Sequence, residues 1–142
     1  MKIKFNVSSK IKKEETIKQV KSVLFMSMVK MHELATLNAP VDTGLLRSTI
    51  RLFPSVPGAT EYVLADGVEY GVDLEFGTSP HYVSGKNLES WAKKVLGNKG
   101  AAYAVARKIA KVGTEAQPFF RPALDQVKDV WIKRYWEREL AK

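Results

Sequence analysis

Apolar and polar positions along the chain fall into two periods, and these predict most of the elements. Lys2 to Val7 alternates, with Ile3, Phe5 and Val7 on one side and Lys4 and Asn6 on the other, the pattern of a half-buried strand. Ser8 and Ser9 punctuate it. From Glu14 to Leu37 the spacing changes to three and four: Ile17, Val20, Leu24, Met28, Met31 and Ala35 form a stripe that Val23 and Leu34 widen. That spacing predicts a long helix, with Glu14 and Glu15 at the positive end of its dipole. Asn38-Ala39-Pro40 stops it, and Val41-Asp42-Thr43-Gly44 reads as a turn.

Leu45 to Phe53 reads as a strand, with Leu46, Ser48, Ile50 and Leu52 on one side. A loop covers Pro54 to Gly58, and Glu61 to Ala65 is a short strand turning at Asp66-Gly67. The cleanest alternation in the chain is Val68, Tyr70, Val72, Leu74 and Phe76 against Glu69, Gly71, Asp73, Glu75 and Gly77, which favours a strand. Val68, Val72 and Phe76 would equally line one face of a short helix. Gly77 to Gly85 is a loop, and two short helices follow, from about Asn87 to Leu96 and from Ala101 to Val112, separated by Gly97-Asn98-Lys99-Gly100. A last helix is expected over Pro122 to Leu140, with Leu124, Val127, Trp131 and Tyr135 on its apolar face, Val130 beside it and Trp136 nearer the polar side. The elements predict one domain over residues 1–142, an α+β fold. It would hold an antiparallel sheet of about four strands flanked by a long N-terminal and a long C-terminal helix.

Composition narrows the chemistry. The chain has no cysteine, which excludes disulfides and most zinc-site patterns, and His32 and His81 are the only imidazoles. Neither a metal nor another cofactor is implied. No signal peptide is evident, and the most apolar stretch, Val23 to Met31, is too short to span a bilayer, so a soluble protein made in a cytoplasm is expected. The net charge of +8 is uneven. Residues 1–30 carry eight lysines against two glutamates, residues 31–80 two arginines against seven acids, and residues 81–120 seven bases against two acids. Basic flanks around an acidic middle suit contact with nucleic acid, or pairing between copies of the chain. The lysines at 2, 4, 10, 12, 13, 18 and 21 can meet phosphates, but without interleaved aromatics they suggest no base readout.

Asp42-Thr43-Gly44 matches the triplet of aspartic proteases, in which two carboxylates share a proton. Its context argues against catalysis: it follows a long helix and Pro40, and no second protease-like segment is found. A turn in which Asp42 ties down backbone donors and Gly44 takes an unusual φ accounts for it more simply. No nucleophile–base pair, phosphate-binding loop or dinucleotide fingerprint stands out. Gln117-Pro118-Phe119-Phe120-Arg121-Pro122-Ala123-Leu124 reads as a rigid docking bracket: two prolines hold Phe119 and Phe120 extended, and Pro122 opens the last helix. At least one of these rings is expected to be buried against the first helix.

Three segments together resemble one family. Ala39-Pro40-Val41-Asp42-Thr43-Gly44-Leu45-Leu46-Arg47-Ser48-Thr49-Ile50 resembles its APVDTG-x-LR-x-SI block, residues 68–78 (including Tyr70, Glu75, Phe76, Gly77 and Thr78) its YA-x-x-x-EFGT block, and Gln117 to Leu124 its QPFxRPAL block. This is the family of tailed-phage and prophage neck or tail-completion proteins, found between capsid and tail of siphophage-like virions. The blocks cover much of residues 39–124. Gly71 stands where alanine is usual, and the stretch from Gly77-Thr78 to Gln117 varies in length among relatives.

The resemblance implies a non-enzymatic virion protein, made in the bacterial host, that forms a ring with copies of itself, commonly six-fold. Its partners would be the portal or connector and the tail-tube or tail-terminator proteins. The ring would surround the channel, where non-specific contact with genomic DNA is expected, and would touch no membrane. A head-to-tail ring needs two complementary faces per copy. Glu69, Asp73 and Glu75 on one copy facing bases of the next would supply them. On that view, reversing the charge of Glu75 weakens assembly and leaves folding intact.

Overall fold

The computed structural model describes residues 1–6, 14–55 and 61–141. The expected strand end at Val7, Ser8 and Ser9, residues 56–58 of the expected loop, and Lys10, Lys12 and Lys13 of the lysine cluster lie outside the described residues. The chain divides into two compact units, Met1–Gly71 with Pro118–Lys142, and Val72–Gln117.

The first unit is built on β1 (Lys2–Asn6), α1 (Glu14–Asn38), α2 (Leu45–Thr49), β2 (Arg51–Pro54) and β3 (Glu61–Ala65). The strands form an antiparallel sheet in the order β1-β3-β2. Lys2 lies opposite Ala65 and Asn6 opposite Glu61 on one edge of β3; Arg51 lies opposite Ala65 and Pro54 opposite Tyr62 on the other. The central strand is the apolar one, with Val63, Leu64 and Ala65 all buried. Pro54 falls on an edge strand, where its missing donor breaks no shared ladder. α1 packs on β2 and β3 and also along the C-terminal helix, so it is the spine of the unit. Of its predicted stripe, Val23, Leu24, Met28, Met31 and Ala35 are buried and Ile17, Val20 and Leu34 half-buried, with Ser27 also on the buried face.

The mixed α/β character is as expected, but among the described residues the sheet has three strands, not four. The strand expected over Leu45–Phe53 is a helical turn followed by a strand. Leu46 and Ile50, both buried, are four apart, a spacing that serves a helix as well as an alternating strand. The backbone N–H of Ser48 donates to Gly44 O at 3.0 Å, and the hydroxyls of Ser48 and Thr49 donate to the carbonyls of Leu45 and Leu46. These local bonds close a turn before β2 can begin.

The C-terminal helix starts at Phe120, two residues earlier than expected. It runs as α6 (Phe120–Gln126), a π-helical turn (Val127–Trp131) and α7 (Ile132–Leu140). Pro122 sits in the first turn, where its absent N–H costs no helical bond. The π turn, closed by Ile132 N–H on Val127 O, shifts the phase of the helix. Val130 is consequently exposed, while Trp136 is half-buried and Glu139 buried, in place of the uninterrupted face expected from sequence. Trp131 lies under two cations, Lys30 Nζ at 4.5 Å and the Arg134 guanidinium at 5.1 Å from its centroid.

The second unit holds most of α3 (Gly71–Phe76), with α4 (Gly85–Leu96) and α5 (Ala101–Val112) packed as a helical hairpin. α4 ends at Gly97, whose φ of +70° turns the chain out of the helix.

Candidate functional site

The residues of the three sequence blocks are spent chiefly on holding backbone. In the first, Thr43 Oγ1 accepts from Leu45 N–H at 3.4 Å, and Gly44 takes φ +85°, a left-handed conformation that glycine adopts without penalty. Arg47 then reaches back: its Nε donates to Ala39 O at 2.9 Å and an Nη to Leu37 O at 3.0 Å. The last turn of α1 contains no basic residue, so Arg47 supplies from outside the cation and the donors that a helix C-terminus lacks. Asp42 is exposed on this turn between two helices, not at the end of a strand in a cleft. His32 supports the same region, its Nε2 lying 3.2 Å from Ile50 O.

The second block departs from its expected form. The strand expected over Val68–Phe76 is a turn followed by the helix α3. Asp66 caps the turn by accepting from Val68 N–H at 3.4 Å, and Gly71 N–H donates to Val68 O, which closes the turn before α3. A Cβ on Gly71 would stand 2.5 Å from the Asp66 carboxylate, so an alanine there would have to displace that side chain. Glu69 and Asp73 are exposed, but Glu75 is only 3% exposed; the three acids therefore do not line one outer face. α3 is turned inside out relative to its polarity. Gly71 and Glu75, four apart, are buried, whereas Val72 and Phe76, also four apart, are exposed, Phe76 to 60%. Tyr70 is exposed as well.

Gly77-Thr78 has a partner that the sequence reading did not single out, Gly113-Thr114. The two dipeptides bracket the α4–α5 hairpin and pair antiparallel. Thr78 N–H donates to Thr114 O at 3.1 Å, Thr114 N–H donates to Thr78 Oγ1 at 3.0 Å, and the two hydroxyls meet at 2.9 Å. Both glycines have positive φ, +73° and +76°, and both lie against the opposite strand of the clasp. A Cβ on Gly77 would fall 2.5 Å from Thr114 O, and one on Gly113 would collide with Thr78 O. Recurrence of Gly-Thr at the two ends of a helical hairpin was the available signal. His81 joins the clasp, with its N–H on Ile109 O and its Nδ1 2.9 Å from Ser79 O.

In the third block, Gln117 N–H donates to Leu74 O at 2.7 Å, which fixes the end of the second unit to α3. Phe119 and Phe120 are both 0% exposed, their rings 4.6 Å apart. Neither is extended as expected: Phe119 has ψ −32° and Phe120 is helical. α6, which Phe120 opens, packs along α1, and burial of both rings holds the chain in that path despite the bias of Pro122 against a helical Arg121. Pro118 and Arg121 are exposed and Pro122 is half-buried.

Among the described residues no group of three or more His, Asp or Glu side chains is placed to hold a metal ion, and no helix is long and apolar enough to cross a membrane. Lys2, Lys4, Lys18 and Lys21 are exposed. Tyr103 Oη donates to Glu89 Oε1 at 3.2 Å, and this bond together with the Glu89 charge holds the phenol above its ordinary pKa. The chain matches no protein-family model, no curated protein and no solved structure.

Proposed function

We propose that this protein is a structural component of the neck or tail of a tailed-phage particle, of the tail-completion type its sequence blocks resemble, and that it works by docking and ring formation without catalysis. The observation that carries the reading is the inverted helix α3. A six-residue helix that buries a glutamate and turns Val72 and Phe76 outward leaves apolar surface in water, and a partner that covers it gains from that burial. The same holds at the end of α1, where Leu37, Val41 and Leu45 stand exposed around the turn that Arg47 braces. Val41, Leu45, Val72 and Phe76 belong to the sequence blocks that resemble the family, and Thr43, Arg47 and Thr78 beside them are bonded to the chain's own backbone.

A head-to-tail ring uses two unlike surfaces on each copy. The α3 face and the face around the Val41–Gly44 turn are the two offered here, and the portal and the tail tube are the neighbours above and below. The exposed acids Glu69 and Asp73, not Glu75, are the ones left to meet bases of an adjoining copy. Deleting the gene from its phage or induced prophage tests the assignment. Filled heads and separate tails should accumulate unjoined, with infectivity restored by the gene supplied in trans. Normal joined, infectious particles without the gene product would refute it.

A further inference from the structure

Between Lys86 and Lys111 the chain carries seven bases and one acid, Glu89. On α5 the charge is sorted by face. Ala102 and Ala106 are buried against the hairpin, while Arg107, Lys108 and Lys111 all lie on the exposed side with Tyr103 and Ala104. Two shallow hollows meet at Arg107. One, of about 410 Å³, is lined by Ala104, Arg107, Lys108, Lys111 and Val112. The other, of about 490 Å³, runs past Arg107 to Tyr103, Ser84 and Tyr82. Tyr82 is 86% exposed, the most exposed of the large apolar and aromatic side chains described.

We infer that the outer face of α5, with Tyr82 and Tyr103 at its edge, is a sequence-independent docking surface for the phosphate backbone of duplex DNA. Arg107 and Lys111 are one turn apart, about 6 Å along the axis, so their long side chains reach neighbouring phosphates of one strand. Ala104 in one hollow and Ala110 in the other, both exposed beside Arg107, keep the surface low and let a backbone come close. Arg107 uses only its Nε within the chain, on Tyr103 O at 3.4 Å, and its terminal nitrogens can engage a phosphate with two bonds. Lys108 pairs with Glu115 at 3.0 Å, but both side chains are solvent-exposed, and such a pair contributes little that a phosphate could not replace.

Charge complementarity favours DNA over a lipid surface. A membrane-seeking helix turns a continuous stripe of large apolar residues outward, whereas the large outward groups of α5, Tyr103 and Val112, stand at opposite ends of a basic face. No Asn, Gln, Asp or Glu side chain lines either hollow, which favours backbone contact over base readout. The surface is distinct from the basic N-terminal segment and from the α3 and Val41–Gly44 faces assigned to assembly.

Fluorescence anisotropy with a labelled random-sequence duplex of about 30 base pairs, read between about 50 and 200 mM salt, tests this. The full-length chain should bind at low salt and lose affinity steeply as salt rises. R107A/K108A/K111A should bind at least tenfold more weakly, with the log–log salt slope reduced by about 2–3. The control K18A/K21A should match the natural chain. Since all five side chains are surface groups, unchanged melting temperatures certify folding of both variants. Failure of the natural chain to bind the duplex at low salt would overturn the inference. So would an unaltered slope in the triple variant, or a loss seen only in the α1 control. A triple variant that loses binding to phosphatidylserine vesicles, or self-association, while its DNA binding is intact would assign the face to that other partner.

Discussion

Gly113 and Gly97 both have positive φ, yet they are not equivalent. A Cβ at Gly97 meets nothing within 4 Å, so G97A carries only the left-handed penalty, about 1 kcal/mol. At Gly113 the added carbon would run into Thr78 O, and the clasp must open to admit it. G113A should therefore lower stability by at least about 1–3 kcal/mol beyond G97A, read as the difference in urea midpoints. Equal midpoints would mean that the Thr78–Thr114 clasp contributes nothing. Glu75 reverses an expectation of the same kind. As an exposed acid on a strand, its charge could be reversed with folding intact; buried in α3, it cannot. E75K should cost about 3–5 kcal/mol and appear first as a lowered melting temperature, while D73K on the exposed side should leave melting unchanged.

At the level of elements, sequence periodicity succeeded where packing and pattern agree. α1, β3 and α5 turn apolar residues to their packing partners, and their ends follow from spacing, glycine and proline, whereas α4 begins at Gly85, two residues before the expected Asn87. It failed where a local bond or a buried polar group decides. Leu46 and Ile50 satisfy two periods at once, and only the Gly44 turn and the Ser48 and Thr49 hydroxyls select the helix. In α3 the apolar alternation was real, but Val72 and Phe76 face solvent, so no reading that sends apolar residues inward could recover it. The π turn of the last helix is likewise silent in the pattern, because the inserted residue shows only as a phase slip after Val127. The Phe119-Phe120 bracket was legible as a buried anchor though not in its backbone shape. Truncating Phe120 should cost about 3–5 kcal/mol, since the ring is wholly enclosed and its neighbour cannot fill the space. A thermal melt of F120A that coincides with the natural chain would show the ring is dispensable.

For the whole molecule, the segments around Arg47 and around Gly77-Thr78 share one pattern, a closed backbone beside exposed apolar side chains, whereas the third block buries both of its rings. In the first unit Arg47 closes the end of α1 beside exposed Leu37, Val41 and Leu45. In the second the paired Gly-Thr dipeptides close the hairpin next to exposed Phe76. The proposed ring assembly is tested most directly by sedimentation velocity of the purified chain with the portal protein proposed as its partner, comparing the natural protein with V72D/F76D. The natural chain should co-sediment with the portal as a multi-copy ring, and the variant should remain a folded, unattached species with an unchanged melting temperature. A variant that still joins the portal as the natural chain does, or a natural chain that stays a free monomer beside it, would contradict the account.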